Sequence, residues 1–196
     1  GAKHYSLCAS CNNNTGSWYN TAYVRLARAC RKVATRKNAE RICEVEVLNP
    51  QRVAKQTITT IVATSQPGLT ARYPHLRALL LDREDRRSVA PLRLWLYLRA
   101  NPGGVSTGLT VGIDLERRRA HLAAGFSFWP LGWIMTIGDV EVNGVLDVSA
   151  WTELGYMERG PVTVEVPCQW AISPYPGDFR GPDEVPADAW DIVHSK

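Results

Sequence analysis

The hydrophobic pattern of the first half of the chain is helical. Over residues 19–34 apolar side chains recur every three or four positions, which predicts an amphipathic helix. The polar, turn-rich residues 8–18 are not expected to be helical. A second helix is predicted behind Asn49 and Pro50, where Asn is expected to cap the helix and Pro to occupy its first turn. A shorter helix is predicted over residues 74–81, because three leucines there share a face.

Beyond residue 90 the period of the pattern becomes two. Four leucines alternate with Arg93, Trp95, Tyr97 and Arg99, which is typical of a strand. Further strands are predicted at residues 42–48, 109–115, 121–128, 133–137 and 162–166. Short polar connections between the later strands favour antiparallel pairing, and an irregular tail is predicted from residue 173. The fold class predicted is therefore α+β, with helices followed by an antiparallel β-sheet.

One face of the first long strand is aromatic. Trp95 and Tyr97 lie opposite the leucines and are interleaved with Arg93 and Arg99, as on a sheet that stacks single-stranded bases. The segment 129–135 resembles a second aromatic platform. The interpretation that we favour is simpler: the predicted helices pack against this face of the sheet.

Composition narrows the class of protein. Of the 196 residues, 45% are hydrophobic and 21% are charged, which excludes a disordered chain, a collagen and a disulfide-rich miniprotein. No apolar run reaches the roughly 18 residues that span a bilayer, and no signal-like stretch opens the chain. We therefore expect a cytoplasmic protein with no membrane partner.

Positive charge is concentrated in the first third of the chain. Residues 1–60 hold ten Lys and Arg against three Glu, a net charge of +7, whereas the remaining residues sum to −3. The helix predicted over residues 19–34 places four basic residues on its polar face: Arg25, Arg28, Arg31 and Lys32. Such a face suits the phosphates of nucleic acid, so DNA is the expected partner. A merely solvated helix surface explains the charge equally well.

The N-terminal segment carries residues suited to a metal. Cys8 and Cys11, separated by two residues, can both bind one tetrahedral zinc ion from a tight turn. A structural zinc site needs four ligands. The nearest other candidates are His4, Cys30 and Cys43. For Cys30 and Cys43, and for the isolated Cys168, a core position is the better interpretation, and a redox-active dithiol is an alternative for the Cys8 and Cys11 pair.

The sequence Leu-Cys-Ala-Ser-Cys-Asn at residues 7–12, followed by Thr-Gly and a helix, resembles the second zinc knuckle of an HNH endonuclease of the ββα-metal family. The resemblance covers about residues 4–35. It implies that Cys8 and Cys11 are structural zinc ligands partnered by two cysteines upstream. It also implies that Asn12 helps to hold a catalytic divalent metal such as magnesium, and that the basic helix lies over the DNA backbone.

The other half of the HNH motif is not found in this sequence. An HNH nuclease needs an acidic residue and a histidine that acts as general base. Only three residues precede His4, and none of His75, His121 and His194 lies beside an acidic residue. Because the chain also begins without Met, we expect it to begin inside the motif, with the catalytic half either upstream or lost from a non-catalytic remnant.

The domain organisation expected is a small, treble-clef-like zinc-knuckle unit with its basic helix at residues 1–43 and an α+β domain of unassigned role at residues 44–196. Two functional hypotheses from different classes follow. One is metal-dependent phosphodiester hydrolysis of the HNH type, if the missing half exists. The other is a non-catalytic, zinc-stabilised module that binds nucleic acid or a protein partner. A weaker third is a ligand-sensing or enzymatic role of the sheet domain.

Overall fold

The computed structural model describes residues 8–34, 42–65, 68–99, 104–114, 119–138, 140–142, 144–157 and 162–169. Within these ranges it contains α-helices, one 3-10 helix and a seven-stranded sheet. The α+β class predicted from the sequence is confirmed. The predicted C-terminal tail and His4 lie outside the described residues.

The helices come mostly before the strands, as the sequence pattern indicates. The helices are α1 (Ala9–Ala34), α2 (Pro50–Thr64), α3 (Gly68–Arg72), α4 (Pro74–Leu81) and the 3-10 helix (Ser149–Glu153). The strands are β1 (Ile42–Val47), β2 (Leu92–Arg99), β3 (Gly104–Asp114), β4 (Arg119–Phe128), β5 (Leu131–Ile137), β6 (Leu146–Asp147) and β7 (Val162–Gln169). No helix of the described residues is long and apolar enough to cross a membrane.

The strands form one sheet in the order β1-β7-β2-β5-β4-β3, with β6 also paired to β2. Strands β3, β4 and β5 are consecutive and antiparallel, which is the predicted meander. Strand β2 pairs antiparallel with β5, where Leu96 lies opposite Trp133. Between β2 and β7 the pairing is parallel, with Leu98 opposite Cys168, so the sheet is mixed rather than purely antiparallel as predicted.

The main core lies between the helices and one face of the sheet. All four alternating leucines of β2 are buried in it, as predicted: Leu92, Leu94, Leu96 and Leu98. The apolar stripe of α2 packs in the same core, together with Leu76, Leu79 and Leu80 of α4. At its centre Trp133 is fully buried, and its Nε1–H donates a hydrogen bond of 3.2 Å to Tyr23 Oη of α1. Helix α1 is thus attached to the middle of the sheet.

The aromatic face of β2 is covered by a different part of the chain. Trp95 and Tyr97 are both buried, and they pack with Ile134, Val142 and Val145. The expectation that the helices cover this face was wrong, because the helices pack on the leucine face and the connection after β5 folds across the other. These two rings are therefore not available to stack on bases.

Helix α1 begins ten residues earlier than predicted. Thr15 Oγ1 donates to the carbonyl of Cys11 at 2.9 Å, so a residue that favours turns is accommodated within the helix. Tyr19 is fully buried, and its Oη donates 3.0 Å to the carbonyl of Leu80 at the end of α4. This contact packs the first turns of α1 against α4 and outweighs the poor helix propensity of the Asn-rich segment.

The predicted start of α2 is correct, but the predicted cap is not. Asn49 precedes the helix with φ 57°, a left-handed conformation, and its side chain makes no capping hydrogen bond. Asn tolerates this conformation better than most residues, so its role here is to turn the backbone. Pro50 occupies the first helical position as predicted.

Two buried polar side chains of α2 attach the connection between α4 and β2. Lys55 Nζ donates to the carbonyls of Asp82 at 2.8 Å and Arg83 at 3.1 Å, and Gln51 Nε2 donates to that of Asp85 at 2.8 Å. Burial lowers the pKa of Lys55 to about 8. The connection is exposed, as expected, but its backbone is held to the core.

The proposed division between residues 43 and 44 falls inside β1. Leu26 and Cys30 of α1 share a continuous core with Val45 of β1 and the leucines of β2. The two-unit organisation stays a prediction, and α1 packs against the larger unit.

Candidate functional site

Cys8 and Cys11 lie at the N-terminus of α1. Cys8 directly precedes the first helical residue, and its Sγ accepts a hydrogen bond of 3.3 Å from the backbone N–H of Cys11. This is the position in which a side-chain acceptor satisfies one of the unpaired amides at a helix start. The two Sγ atoms lie 2.9 Å apart, with Cys8 exposed and Cys11 half-buried. The pair predicted from the sequence is thus brought together at the surface.

The two thiols differ in acidity. Hydrogen bonds from the thiol and the amide of Cys11 lower the pKa of Cys8, because both favour the thiolate. The same contact with Cys8 raises the pKa of Cys11, while the Arg77 guanidinium opposes that rise. Cys8 therefore ionises first, and a thiolate is the form that binds metals and attacks disulfides.

A cavity of about 260 Å³ opens beside the two sulfurs. Its walls come from α1 and from the helices packed on it, and include Thr15, Thr70, Arg77 and Leu80. Arg77 is exposed and lies close enough to Cys11 for its charge to oppose the rise in the pKa of that thiol. Sequence reasoning missed this arginine, since only the unexpected early start of α1 brings the cysteines next to α4.

The donor set fits half of a tetrahedral zinc site. With Zn–S bonds of about 2.3 Å, tetrahedral angles place two sulfurs about 3.8 Å apart, so the pair would have to separate by rotation of its side chains. Among the described residues no group of three or more His, Cys, Asp or Glu is placed to hold a metal. Cys30 lies 19 residues beyond Cys11 on the same helix, about 28 Å away at 1.5 Å per residue, and cannot share an ion with it.

Asn12 lies exposed on the first turn of α1. Its backbone N–H donates to the carbonyl of Cys8 at 2.9 Å. Its side chain makes no hydrogen bond to any histidine or carboxylate of the described residues. The catalytic role that the HNH resemblance implies for Asn12 stays a prediction.

The four basic residues predicted to contact DNA are all exposed on α1: Arg25, Arg28, Arg31 and Lys32. Leu26 and Cys30 lie on the opposite, buried side, so the predicted amphipathic pattern is confirmed. The guanidinium carbon of Arg31 lies 5.4 Å from the centroid of the Trp129 ring. At 1.5 Å per residue, Arg25 is about 21 Å along the helix from Cys11, so the thiols and the basic face occupy different ends of α1.

No protein-family model, no curated protein and no solved structure matches this chain. The resemblance to HNH endonucleases therefore rests on the motif around Cys8 and Cys11 and on the helix that follows it.

Two aromatic residues, Phe128 and Trp129, lie at the turn that Arg31 of α1 contacts. Phe128 ends β4 and is 53% exposed, and Trp129 follows it in the turn to β5. The segment 129–135 resembles an aromatic platform in the sequence, but nothing there indicates that α1 passes over this turn. That proximity results from the packing of Tyr23 on Trp133.

Proposed function

We propose that this protein is a nucleic-acid-associated protein of the HNH endonuclease type, in which α1 carries a zinc half-site at one end and a DNA-contacting face at the other. The observation that carries the proposal is the helix itself. One unbroken helix begins at the Cys8 and Cys11 pair, which lies at the surface, and exposes four cationic side chains in its second half. In the HNH resemblance, the knuckle binds zinc and the helix that follows it lies over the DNA backbone.

Cys8 and Cys11 are the residues that would hold zinc, and a bound zinc ion would supply a cross-link that fixes the start of α1. The lowered pKa of Cys8 favours the thiolate that such a ligand requires. Arg25 and Arg28 would contact phosphates, and each contact would release a counterion from the nucleic acid. Binding is the part of the function that the described residues support.

Hydrolysis rests on the resemblance alone. A phosphodiester hydrolase of this type needs a histidine general base, and among the described residues none is hydrogen-bonded to Asn12. The alternative, a non-catalytic zinc-stabilised module that binds nucleic acid or protein, uses the same surface without Asn12 chemistry. The two differ in whether bound DNA is cut.

A plasmid-nicking assay with magnesium distinguishes the enzyme from the module. The variant is Asn12→Ala, and the matched control is Asn13→Ala, an exposed neighbour with the same side chain. An HNH-type enzyme nicks DNA and loses the activity with Asn12→Ala but not with Asn13→Ala. DNA binding without nicking supports the module.

Zinc content of the purified protein tests the half-site. We expect zinc in the protein to fall when Cys8 and Cys11 are both changed to Ser, and to be unaffected by Cys30→Ala, which removes a buried thiol. Absence of zinc from the wild-type protein, or zinc retained by the double variant, would contradict the zinc-site proposal.

Thiol–disulfide exchange is a second candidate, favoured by the position of Cys8 at the helix start and by its lowered pKa. The Cys8 thiolate would attack a small disulfide such as oxidised glutathione, and Cys11 would displace the second thiol to close an internal disulfide. Titration with a glutathione buffer and counting of free thiols measures this reaction. Two thiols lost reversibly without zinc would favour it over the half-site.

A further inference from the structure

A half-exposed aromatic surface lies against the basic end of α1. We call it the stacking surface and define it as Phe128, Trp129 and the neighbouring Arg31. Phe128 is 53% exposed, the Trp129 ring is half-buried, and the Arg31 guanidinium carbon lies 5.4 Å from that ring's centroid. Arg31 thereby joins the cationic helix to the aromatic turn, so the two form one continuous surface.

The Phe128 ring lies beside strand β3. In the β3–β4 pairing Phe128 is opposite Gly104, and a Cβ on Gly104 would collide with the Phe128 ring. Because glycine has no side chain, one edge of the ring can lie close to the β3 backbone. On its buried side the ring contacts Phe126, with centroids 5.9 Å apart. A large part of the ring is left open to solvent.

Cationic side chains lead along α1 to Trp129, the residue that follows Phe128. Arg25, Arg28 and Lys32 follow one another at spacings of three and four residues, which places them as neighbours on one exposed line of the helix. The distance from Arg25 to Arg31 is about 9 Å along the axis. A row of cations that ends at an open aromatic ring is the combination by which proteins hold single-stranded nucleic acid: phosphates pair with the cations and a base stacks on the ring.

We infer that this surface binds single-stranded nucleic acid, or an unpaired stretch within a duplex, with phosphates on Arg25 and Arg28 and a base on Phe128. The inference rests on the proposed function and names its substrate more closely. In a duplex the bases are already stacked on one another, so only the phosphates are available to α1 and the ring contributes little. The ring therefore confers preference for the single strand, and the cations bind both forms.

Fluorescence anisotropy with two labelled probes tests the inference: an oligothymidylate of about 20 nucleotides, which exceeds the usual site size of one binding unit, and a duplex of equal length. We expect Phe128→Leu to weaken single-strand binding by about fivefold or more, because loss of base stacking costs at least that factor. Duplex affinity is expected to change less than about twofold. Phe128→Tyr keeps the ring and should restore single-strand affinity.

Tyr73→Leu is the matched control. Tyr73 is a half-buried aromatic with its own arginine, since the Arg72 guanidinium carbon lies 6.0 Å from the ring centroid. It directly precedes α4, the helix that packs on the first turns of α1, so it is far from the stacking surface. We expect it to leave single-strand binding unchanged.

A second variant tests the role of the Phe128 ring without removing the ring. Gly104→Val introduces a side chain where the Phe128 ring rests and should displace the ring, with the same selective loss of single-strand affinity. Equal effects of Phe128→Leu on both probes, or none on either, would overturn the inference while the duplex binding of the wild type still supports the proposed function. Failure of the wild type to bind either probe at low salt would overturn both.

Discussion

Two groups of cysteines in this protein have opposite surroundings. Cys8 and Cys11 lie at the surface beside a cavity, and hydrogen bonds lower the pKa of Cys8. Cys30, Cys43 and Cys168 are buried between α1 and the β1–β7 pair. Burial raises the pKa of Cys30 to about 12 and that of Cys168 to about 11, since the thiolate is poorly solvated there.

Helix geometry produces this difference. Cys11 and Cys30 belong to the same helix but are about 28 Å apart along its axis, so one end reaches the cavity while the other lies over the core. The buried thiols act as small apolar groups, whereas Cys8 and Cys11 lie at the surface and are available for metal or redox chemistry. The sequence alone left Cys30 and Cys43 open as ligands, and the structure makes Cys30 unable to join Cys8 and Cys11.

The largest difference is expected in reactivity. Iodoacetamide near neutral pH should modify Cys8 at least about 1000-fold faster than Cys30, because three pKa units separate an ordinary thiol from one near 12 and burial adds to the gap. Peptide mass spectrometry of the native protein over time measures both rates. Comparable rates for the two cysteines would mean that Cys30 is not buried.

The effect of substitution on stability should separate the same two groups of cysteines. Cys30→Ser places a hydroxyl in an apolar core and is expected to lower the free energy of unfolding by about 1–3 kcal/mol. Cys11→Ser, the same substitution at a half-exposed position, should change it by less than about 0.5 kcal/mol. Urea denaturation of metal-free protein tests both, and a larger effect at Cys11 would reverse the comparison.

Lys55 is a buried basic side chain, so burial shifts its pKa in the direction opposite to that of the buried thiols. Its pKa falls to about 8 from an ordinary value of 10.5. Between these two pH values the unfolded chain holds more protons than the folded protein. The contribution of Lys55 to the free energy of unfolding should therefore rise as pH increases through this window. Urea denaturation of the wild type and of Lys55→Met at several pH values measures how the free energy of unfolding changes with pH. The buried thiols and tyrosines are the same in both proteins, so the difference between the two slopes is due to Lys55. Equal slopes would contradict the prediction.

Local patterns predicted the parts of the fold that depend on nearby residues. The alternation of leucines in β2, the stripe of α2 and the basic face of α1 all lie where the sequence places them. The early start of α1 was not predictable in this way, because it depends on Tyr19 bonding to Leu80, 61 residues away.

The candidate site likewise has one part that local sequence predicts and another that depends on tertiary packing. The pairing of Cys8 with Cys11 follows from a spacing of three residues, whereas the neighbourhood of Arg77 depends on how α4 packs on α1. The position of Phe128 likewise depends on the β4–β5 turn meeting the far end of α1, through the contact of Arg31 with Trp129. The spacing of hydrophobic residues along the chain does not predict such contacts between distant segments.

The salt dependence of duplex DNA binding tests the proposed function most directly. The test variant is Arg25→Gln with Arg28→Gln, and the control is Arg72→Gln with Arg86→Gln, which removes the same charge from exposed arginines outside α1. We expect the slope of log affinity against log salt to fall by about 0.9 for each phosphate that the α1 variant no longer neutralises, and to stay unchanged in the control. Equal slopes for all three proteins, or no binding at low salt, would show that the basic face of α1 is only a solvated surface.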